Sequence, residues 1–490
     1  MKNNYFLKAK NLSFKYEKDG ENTLKNIDLS FNQSSSVLLM GPSGCGKSSL
    51  AYCLSGLYPE FAGYMDGKIL LDGKNIKEYN AKLRAQKISI LFQNPDNQFC
   101  MDTPSNEILF ALENINYQGD YNQRVDDLLS MVRLQDVKNQ FIHTLSGGMK
   151  QKIVLATSLA TEAKFMILDE PLANLDPKSR VMVINMLKKL RKKNIGFLIV
   201  DHNPNFWFSM IDSLILMDEN GKIVKNNIRV KDINKQKETF NRLGIFYDKK
   251  FYSKYIPNNI NPNAKELLNV RNLSIKYDKK TILTNVNLSI KQGECHVLLG
   301  ENGAGKTSLL LAIAKLIKYK GKINHYEKVG LVFQNPRFQF LTTKVIDEIK
   351  LSLENYNLDK YDIQNYAEEI LEKFDLIEYK NASPYELSQG QQRRLAILSM
   401  LSCNQGLLLL DEPTYAQDEK STKNILNLLN QKSRDGLATI ISTHDLDLAQ
   451  SLANFIYVVS NGEVKQISKE EFLAIKANQR RLMDSVVNEQ

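Results

Sequence analysis

The residues best suited to chemistry in this 490-residue chain come in matched pairs. After the apolar run Val37–Met40 stands Gly41-Pro-Ser-Gly44-Cys-Gly46-Lys47-Ser48, and a helical pattern starts at Ser49. After Cys295–Leu299 stands Gly300-Glu-Asn-Gly303-Ala-Gly305-Lys306-Thr307, which continues as Ser308-Leu-Leu-Leu. Strand, glycine loop, helix is the order that lets backbone N–H groups converge on phosphate oxygens. The lysine then reaches the outer phosphates and the Ser or Thr hydroxyl is placed to ligate Mg²⁺. A second pair is Phe165-Met-Ile-Leu-Asp169-Glu170 and Leu407-Leu-Leu-Leu-Asp411-Glu412, each a buried parallel strand ending in two carboxylates. Ligands of open α/β sheets collect at the carboxyl ends of strands, so Asp169 and Asp411 are placed to hold Mg²⁺, with Glu170 and Glu412 beside an attacking water. A lone strand-end Asp-Glu could simply cap a neighbouring helix. Two such pairs, each following its own phosphate loop, favour catalysis.

The pairing is a tandem duplication, and its register is constant. Gln334 follows Gln93 by 241 residues, while Ser388, Asp411 and His444 follow Ser146, Asp169 and His202 by 242 each. Upstream, Lys306 follows Lys47 by 259, so the second copy lacks 18 residues (259 − 241) between its lysine and its glutamine. The missing part corresponds to Leu71-Asp-Gly-Lys-Asn-Ile-Lys-Glu-Tyr79, a hairpin-like stretch expected at a sheet edge. The expected organisation is a first α/β domain over 1–230, a linker over 231–265, a second α/β domain over 266–475 and a tail over 476–490. Pro257 and Pro262 break regular structure in the linker, and its aromatics suggest that it packs on the surface rather than floats free.

The elements that must position these groups are ordinary globular ones. Hydrophobic residues make up 43% and charged residues 24%, and the longest apolar runs are strand-sized, far short of the roughly 20 residues that span a bilayer. Neither a signal core nor a lipidation motif opens the chain, which points to a cytoplasmic location. The five cysteines, Cys45, Cys53, Cys100, Cys295 and Cys403, are scattered without metal-site spacing and are expected reduced and mostly buried. The net charge of +10 is spread along a Lys- and Asn-rich chain without a basic block, so it does not by itself call for nucleic acid.

Leu145-Ser-Gly-Gly-Met149 and Leu387-Ser-Gln-Gly-Gln391 resemble the signature of the ATP-binding-cassette transporter ATPases. Taken alone, Ser-Gly-Gly is a helix cap and a histidine is more often packed than catalytic. Here His202 and His444 each follow an apolar strand, Gly196–Val200 and Ala438–Ser442. The resemblance covers nearly the whole chain. It implies the phosphate-loop NTPase fold twice over, with an accessory β region and a helical signature subdomain, ATP and Mg²⁺ as ligands, and ATP hydrolysis as the activity. It further implies that Tyr16 and Tyr277 stack on adenine and that Gly41, Gly44, Gly46, Lys47, Ser48, Ser49 and their counterparts Gly300, Gly303, Gly305, Lys306, Thr307, Ser308 hold phosphates. Ser48, Gln93 and Asp169, and Thr307, Gln334 and Asp411, would be the metal sets. Glu170, His202 and Gln93, and Glu412, His444 and Gln334, would act in hydrolysis, with Asp176 and Asp418 following the acidic pairs. Such domains close head to tail on ATP, so Ser388 and Gly390 would complete the site on Lys47, and Ser146 and Gly148 the site on Lys306.

Phe92-Gln-Asn-Pro-Asp-Asn-Gln-Phe99, Phe333-Gln-Asn-Pro-Arg-Phe-Gln-Phe340 and Ser383-Pro-Tyr-Glu-Leu-Ser388 are similar to the ATPases of energy-coupling-factor importers of vitamins and transition-metal ions. Asn-Pro could also make nothing more than a turn. The narrower resemblance implies a transmembrane coupling subunit docked on Asn94–Asn106 and Asn335–Asp347, with Phe99, Phe338 and Phe340 as candidate anchors unless one or two of these rings pack inward, and a separate membrane subunit that binds the solute. The chain would then lie peripherally on the cytoplasmic face of the cell membrane, with no nucleic-acid partner. The competing reading is a soluble tandem cassette protein acting on ribosomes or nucleic acid. Against it stand the two Gln-Asn-Pro segments and the lack of a long charged helical stretch between the domains. Neither a sustained heptad pattern nor clustered cysteines for iron–sulfur ligation is present.

Overall fold

The computed structural model describes residues 5–245 except 174, residue 255, and residues 257–277, 280–353, 359–414 and 417–488; at 360 and 482–488 it describes the backbone alone. The chain divides into two compact units, residues 1–247 with 480–490, and residues 248–479.

In the first unit a six-stranded sheet runs in the order Ile223–Arg229, Ser213–Met217, Ser36–Met40, Gly196–Val200, Phe165–Asp169, Ile88–Leu91. All its pairs are parallel except the one between Ile223–Arg229 and Ser213–Met217. The uninterrupted apolar runs are explained by burial on both faces. Leu38, Met40, Met166, Leu168, Phe197 and Ile199 point into one core, shared with the signature helix Gly147–Ala160. Their alternates Val37, Leu39, Phe165, Ile167, Leu198 and Val200 point into a second core against an antiparallel sheet. That sheet has the order Leu24–Phe31, Leu7–Lys15, Tyr64–Leu71, Lys74–Asn75. Local signals agree with these placements. The helix Pro177–Lys192 starts on the Asp176 cap with Pro177 in its first turn, ends on Lys189, Arg191 and Lys192, and buries Val183, Ile184 and Leu187 on one stripe.

The second unit repeats the plan, with strands in the order Glu463–Ile467, Phe455–Ser460, Cys295–Leu299, Ala438–Thr443, Leu407–Asp411, Val329–Val332. Its antiparallel sheet has three strands, Lys280–Lys291, Glu266–Tyr277 and Lys320–His325, against four in the first unit. The deleted stretch corresponds to the hairpin in which Leu70 and Leu71 pair with Asn75 and Lys74. The 18-residue loss therefore trims an edge and spares the strands that carry chemistry.

The residues expected to form a linker are not one loop. Val230–Gln236 and Lys237–Leu243 are helical and place Ile233 and Phe240 in the first unit's core, because a fully buried ring offsets the ordering of a short helix. Farther on, Asn258 binds within the second unit, donating to Asn430 O at 3.1 Å and Ser433 Oγ at 2.9 Å and accepting from Asn454 Nδ2 at 2.8 Å through its carbonyl. The tail expected from 476 is likewise part of an element, since Lys469–Asn488 is a single helix. Among the described residues no helix is long and apolar enough to cross a membrane.

Candidate active sites

Each phosphate loop leaves its central strand and turns into a helix, Lys47–Ser55 or Lys306–Ile313. The turn requires glycine: Gly46 and Gly305 cap the helices at φ +94° and +106°, a left-handed conformation that costs a side chain dearly. Gly44 and Gly303 also have positive φ, at +82° and +80°. At Gly41 and Gly300 the need is space, because a Cβ would meet Met217 O at 2.8 Å and Val459 O at 2.5 Å. Lys47 Nζ donates to Gly41 O at 2.9 Å and Pro42 O at 2.6 Å, and Lys306 Nζ to Gly300 O at 2.8 Å and Glu301 O at 3.1 Å. Both ammonium groups are thus held across their own loops. Tyr16 and Tyr277 are half-exposed at the ends of the strands that precede each loop in sequence, and Tyr16 Oη lies 2.7 Å from Ser49 Oγ. Ser308 is half-buried in the corresponding helix.

The carboxylates stand where the strands end, and both glutamates adopt left-handed backbone, Glu170 at φ +48° and Glu412 at φ +52°. Their amides donate to Val200 O and Ser442 O in the neighbouring strand, which fixes the turn that brings the side chains back over the site. Non-glycine residues held in this region are strained by about 1 kcal/mol or more and persist where the surroundings enforce them. Glu170 Oε1 accepts from Gln93 Nε2 at 2.7 Å and lies 3.2 Å from His202 Nε2. Glu412 Oε1 lies 3.0 Å from His444 Nδ1, and its Oε2 accepts from Thr443 Oγ1 at 3.2 Å. Burial would raise the Glu412 pKa, but the charge and hydrogen bond of His444, with Lys306 and Thr443, hold it below the usual carboxylate range.

The two aspartates differ more. Asp411 accepts from Thr307 Oγ1 at 2.7 Å and from Ser442 Oγ. Asp169 is fully buried, and neither of its carboxylate oxygens has a hydrogen-bond partner. Burial, reinforced by the charge of Glu170, pushes its pKa up to about 7, against the pull of Ser48 and Lys47. Burial also raises Asp411, against Ser442 and Thr307. Two orphaned oxygens on a buried carboxyl, beside a half-buried serine hydroxyl, are the donor set of a hard cation. The residues fit Mg²⁺.

The signature serines Ser146 and Ser388 cap the helices Gly147–Ala160 and Gln389–Leu401, accepting from Met149 N and Gln391 N at 3.4 Å each. Gln391 closes a capping box by accepting from Ser388 N at 2.9 Å, which Met149 has no side-chain oxygen to do. Gly148 and Gly390 are buried as the second residues of these helices. Asp176 and Asp418 likewise cap helices, accepting from Ser179 N and Ser421 N.

Within the first unit the structure brings together Gln93, Glu170 and His202; within the second, Thr307 with Asp411 and Glu412 with His444. The Gln334 side chain is exposed. Reasoning from sequence missed Asp201, which carries a raised pKa from burial, accepts from Asn203 N and from Trp207 Nε1 at 2.9 Å, and replaces the Thr443 hydroxyl of the second unit. It also missed Ser442, where the first unit has Val200. Reading Val200-Asp201-His202 against Ser442-Thr443-His444 would have found both. Of the three aromatics named as candidate anchors after the glutamines, only Phe338 is exposed, at 76%, and the other two take the inward alternative. Phe340 is buried with its ring 6.0 Å from that of Tyr385, and Phe99 packs on the first core, because these rings close the loop onto the helical part. The exposed apolar groups of the second loop are Phe338 and Leu341, the latter 80% exposed.

A doubly wound parallel sheet with a lysine-bearing phosphate loop and two acidic groups at the next strand end defines a phosphate-loop nucleotide hydrolase, here present twice. The profile of the ABC transporter family matches residues 24–173 and 283–415, and the chain belongs to that family and is an ATPase that binds ATP. It is 33% identical to a Bacillus subtilis (strain 168) protein named "Putative HMP/thiamine import ATP-binding protein YkoD", over 92% of this chain and 89% of that one. It is 30% identical to a Methanosarcina mazei "Putative ABC transporter ATP-binding protein", over 94% and 88%. Among solved structures, "RNase-L Inhibitor" superposes with a TM-score of 0.64 over 96% of this chain and 93% of its own. An archaeal ABCE1 bound to the ribosome with Pelota gives 0.73 over 97% and 80%. Both are 18% identical to this chain, a likeness that speaks for the fold.

Proposed function

We propose that the chain is the motor of a membrane importer of the energy-coupling-factor type, hydrolysing ATP to drive uptake of a vitamin, a vitamin precursor or a transition-metal ion. It sits on the cytoplasmic face of the cell membrane, bound to a transmembrane coupling subunit, while a separate membrane subunit binds the solute. The two halves close head to tail on ATP, Ser388 and Gly390 completing the site of Lys47, and Ser146 and Gly148 that of Lys306. Tyr16 and Tyr277 receive the adenine. Ser48, Gln93 and Asp169 would hold Mg²⁺ in one site and Thr307, Gln334 and Asp411 in the other, where it would supply charge neutralisation for the phosphate oxygens. Glu170 and Glu412 orient and polarise the attacking water, and His202 and His444 contact the γ-phosphate.

The observation that carries the importer reading is the surface beside Gln334. Phe338, Leu341 and Tyr385 are 76%, 80% and 48% exposed, and the Tyr385 hydroxyl donates to Phe340 O at 3.3 Å. Exposed apolar side chains gathered on one loop and the residue packed against it favour an interaction surface over chance exposure. The importer name of the Bacillus subtilis relative supports the same reading.

The test is co-purification. A tagged full-length chain extracted in mild detergent should bring down polytopic membrane proteins, and the L341E variant should lose them while its basal ATPase activity stays. A wild-type chain that pelleted with ribosomes and never with membranes would overturn the proposal.

A further inference from the structure

Duplication lets a residue be read against its own counterpart, and one buried pair differs in what it can hold. Arg393 and Gln151 stand at the same place on the two signature helices, five residues after Ser388 and Ser146, and both are 1% exposed. Arg393 Nη1 donates to Phe333 O at 2.7 Å and to Asp411 O at 3.1 Å, and its Nη2 donates to Gln334 O. One planar fork therefore ties three elements: the signature helix, the loop that carries Gln334 and the end of the catalytic strand. Further bonds lie along the same seam. Gln339 Nε2 donates to Ala396 O at 3.0 Å, and Arg337 donates to Gln392 Oε1 at 3.3 Å and Tyr385 O at 3.4 Å.

In the first unit Gln151 makes one long contact, from Nε2 to Glu170 O at 3.5 Å, and its Oε1 has no partner. An amide cannot fork across three carbonyls, and half of it repels them. Gln98, the counterpart of Gln339, turns its amide to Ile90 O at 3.1 Å instead of to the helix. The side-chain tie from this loop to its signature helix is the ion pair of Asp96 and Lys150 at 2.7 Å, with Asp96 half-exposed. Such a pair contributes about 1 kcal/mol or less. Gln93 instead reaches Glu170.

We propose that Arg393 is a positioning residue for ATP hydrolysis in the second unit. It locks the Gln334 loop to the signature helix so that the two move as one body, whereas in the first unit Gln151 leaves the Gln93 loop governed by its bond to Glu170. The inference requires the ATPase activity alone and stands whether or not the importer reading does.

The experiment uses the full chain and two reciprocal variants, R393Q and Q151R, with R393K as the conservative control. Hydrogen exchange of 333–341 should quicken by about tenfold in R393Q, with the strand Cys295–Leu299 unchanged, and R393K should fall between parent and R393Q. With the site on Lys47 disabled by substitution of that lysine, steady-state kcat should drop several-fold with the KM for ATP within about twofold, because the loop aligns the reaction rather than holding ground-state nucleotide. Q151R should slow exchange over 92–100 by several-fold. Exchange that rises equally in the loop and in Cys295–Leu299 would reduce Arg393 to a core residue and overturn the proposal. If R393Q does not fold, Q151R decides: slower exchange over 92–100 supports the clamp, and unchanged exchange rejects it.

Discussion

Glu170 and Glu412 stand at the same turn of the same fold and keep different company. Around Glu170 lie Gln93, His202 and two further carboxyls, the fully buried Asp169, whose oxygens have no hydrogen-bond partner, and the half-buried Asp201, pinned by Trp207. Around Glu412 the chain supplies hydroxyls: Ser442 and Thr307 on Asp411, and Thr443 on Glu412 itself. The substitutions that separate them, Val200 against Ser442 and Asp201 against Thr443, lie beside the motifs and not in them. Matching motifs therefore do not make identical sites. The second unit satisfies its carboxylates in advance, whereas the first crowds three carboxyls and leaves Asp169 without a hydrogen bond, an arrangement that favours a retained proton or a bound cation.

The largest effects test whether both sites are catalytic at all. With the other site disabled through Lys306 or Lys47, E170Q and E412Q should each retain ATP binding and lower turnover at their own site by on the order of 100-fold, since an amide cannot accept the proton of the attacking water. Nucleotide binding measured alongside turnover checks this, and a variant that turned over at the parent rate would show its site to be a bystander.

Next comes pH. The Asp169 carboxyl, pushed up to about 7 by burial and then by Glu170, keeps its proton in the folded chain where the unfolded chain has lost it. Its stabilising contribution is thus complete below about pH 4 and is lost as pH rises through about 7, with a ceiling on the order of 4 kcal/mol. In metal-free buffer at pH 8, D169N should melt at higher temperature than the parent, and the gap should close toward pH 4. S442V should give the second unit part of the same sensitivity by removing a donor from Asp411. Melting that follows the parent's pH profile in D169N would end the argument.

Much of this was legible in the residues. The repeat, the two phosphate loops, the strand-end carboxylates and the signature helices follow from spacing and from apolar runs whose alternate residues fill opposite cores. The trimmed hairpin followed from one offset against another. What escaped detection depends on tertiary contact. Phe340 sits in an irregular loop where neither period of two nor of 3.6 tells inside from outside, and it turned inward onto Tyr385. Arg393 and Arg394 look like exposed helix charges until the carbonyls of Phe333, Gln334 and Asp411 and the hydroxyl of Ser421 are brought against them. Ile233 and Phe240 read as linker because a seven-residue helix shows too few turns to display a face.

The surfaces after the glutamines should part by about tenfold in partner binding. The second presents Phe338 and Leu341 where the first has Asn97 and Cys100, and a buried apolar anchor contributes far more than a polar rim. L341E should therefore lose at least about tenfold of the captured membrane partner, and C100E less than about twofold. Equal losses would mean that the two surfaces bind alike despite their chemistry.

The smallest effect concerns Gln389, which stands where the first unit has Gly147. It is the first residue of its helix, has ordinary backbone and leaves its side-chain oxygen without a partner. No strain is relieved by glycine here, so what Q389G changes is access: a side chain is removed from the helix N-terminus at which an anion would be received. Against that, glycine weakens the first turn by up to about 1 kcal/mol, less at a terminus than in the interior. The two terms oppose each other, and the net change in turnover at the site on Lys47 should stay within about twofold, which can be measured with the other site disabled through Lys306. G147Q should be as mild at the site on Lys306. A tenfold change in either variant would move the origin of the asymmetry from the carboxylate surroundings to the signature, and the contrast between Ser442 and Val200 would lose its place as the main difference.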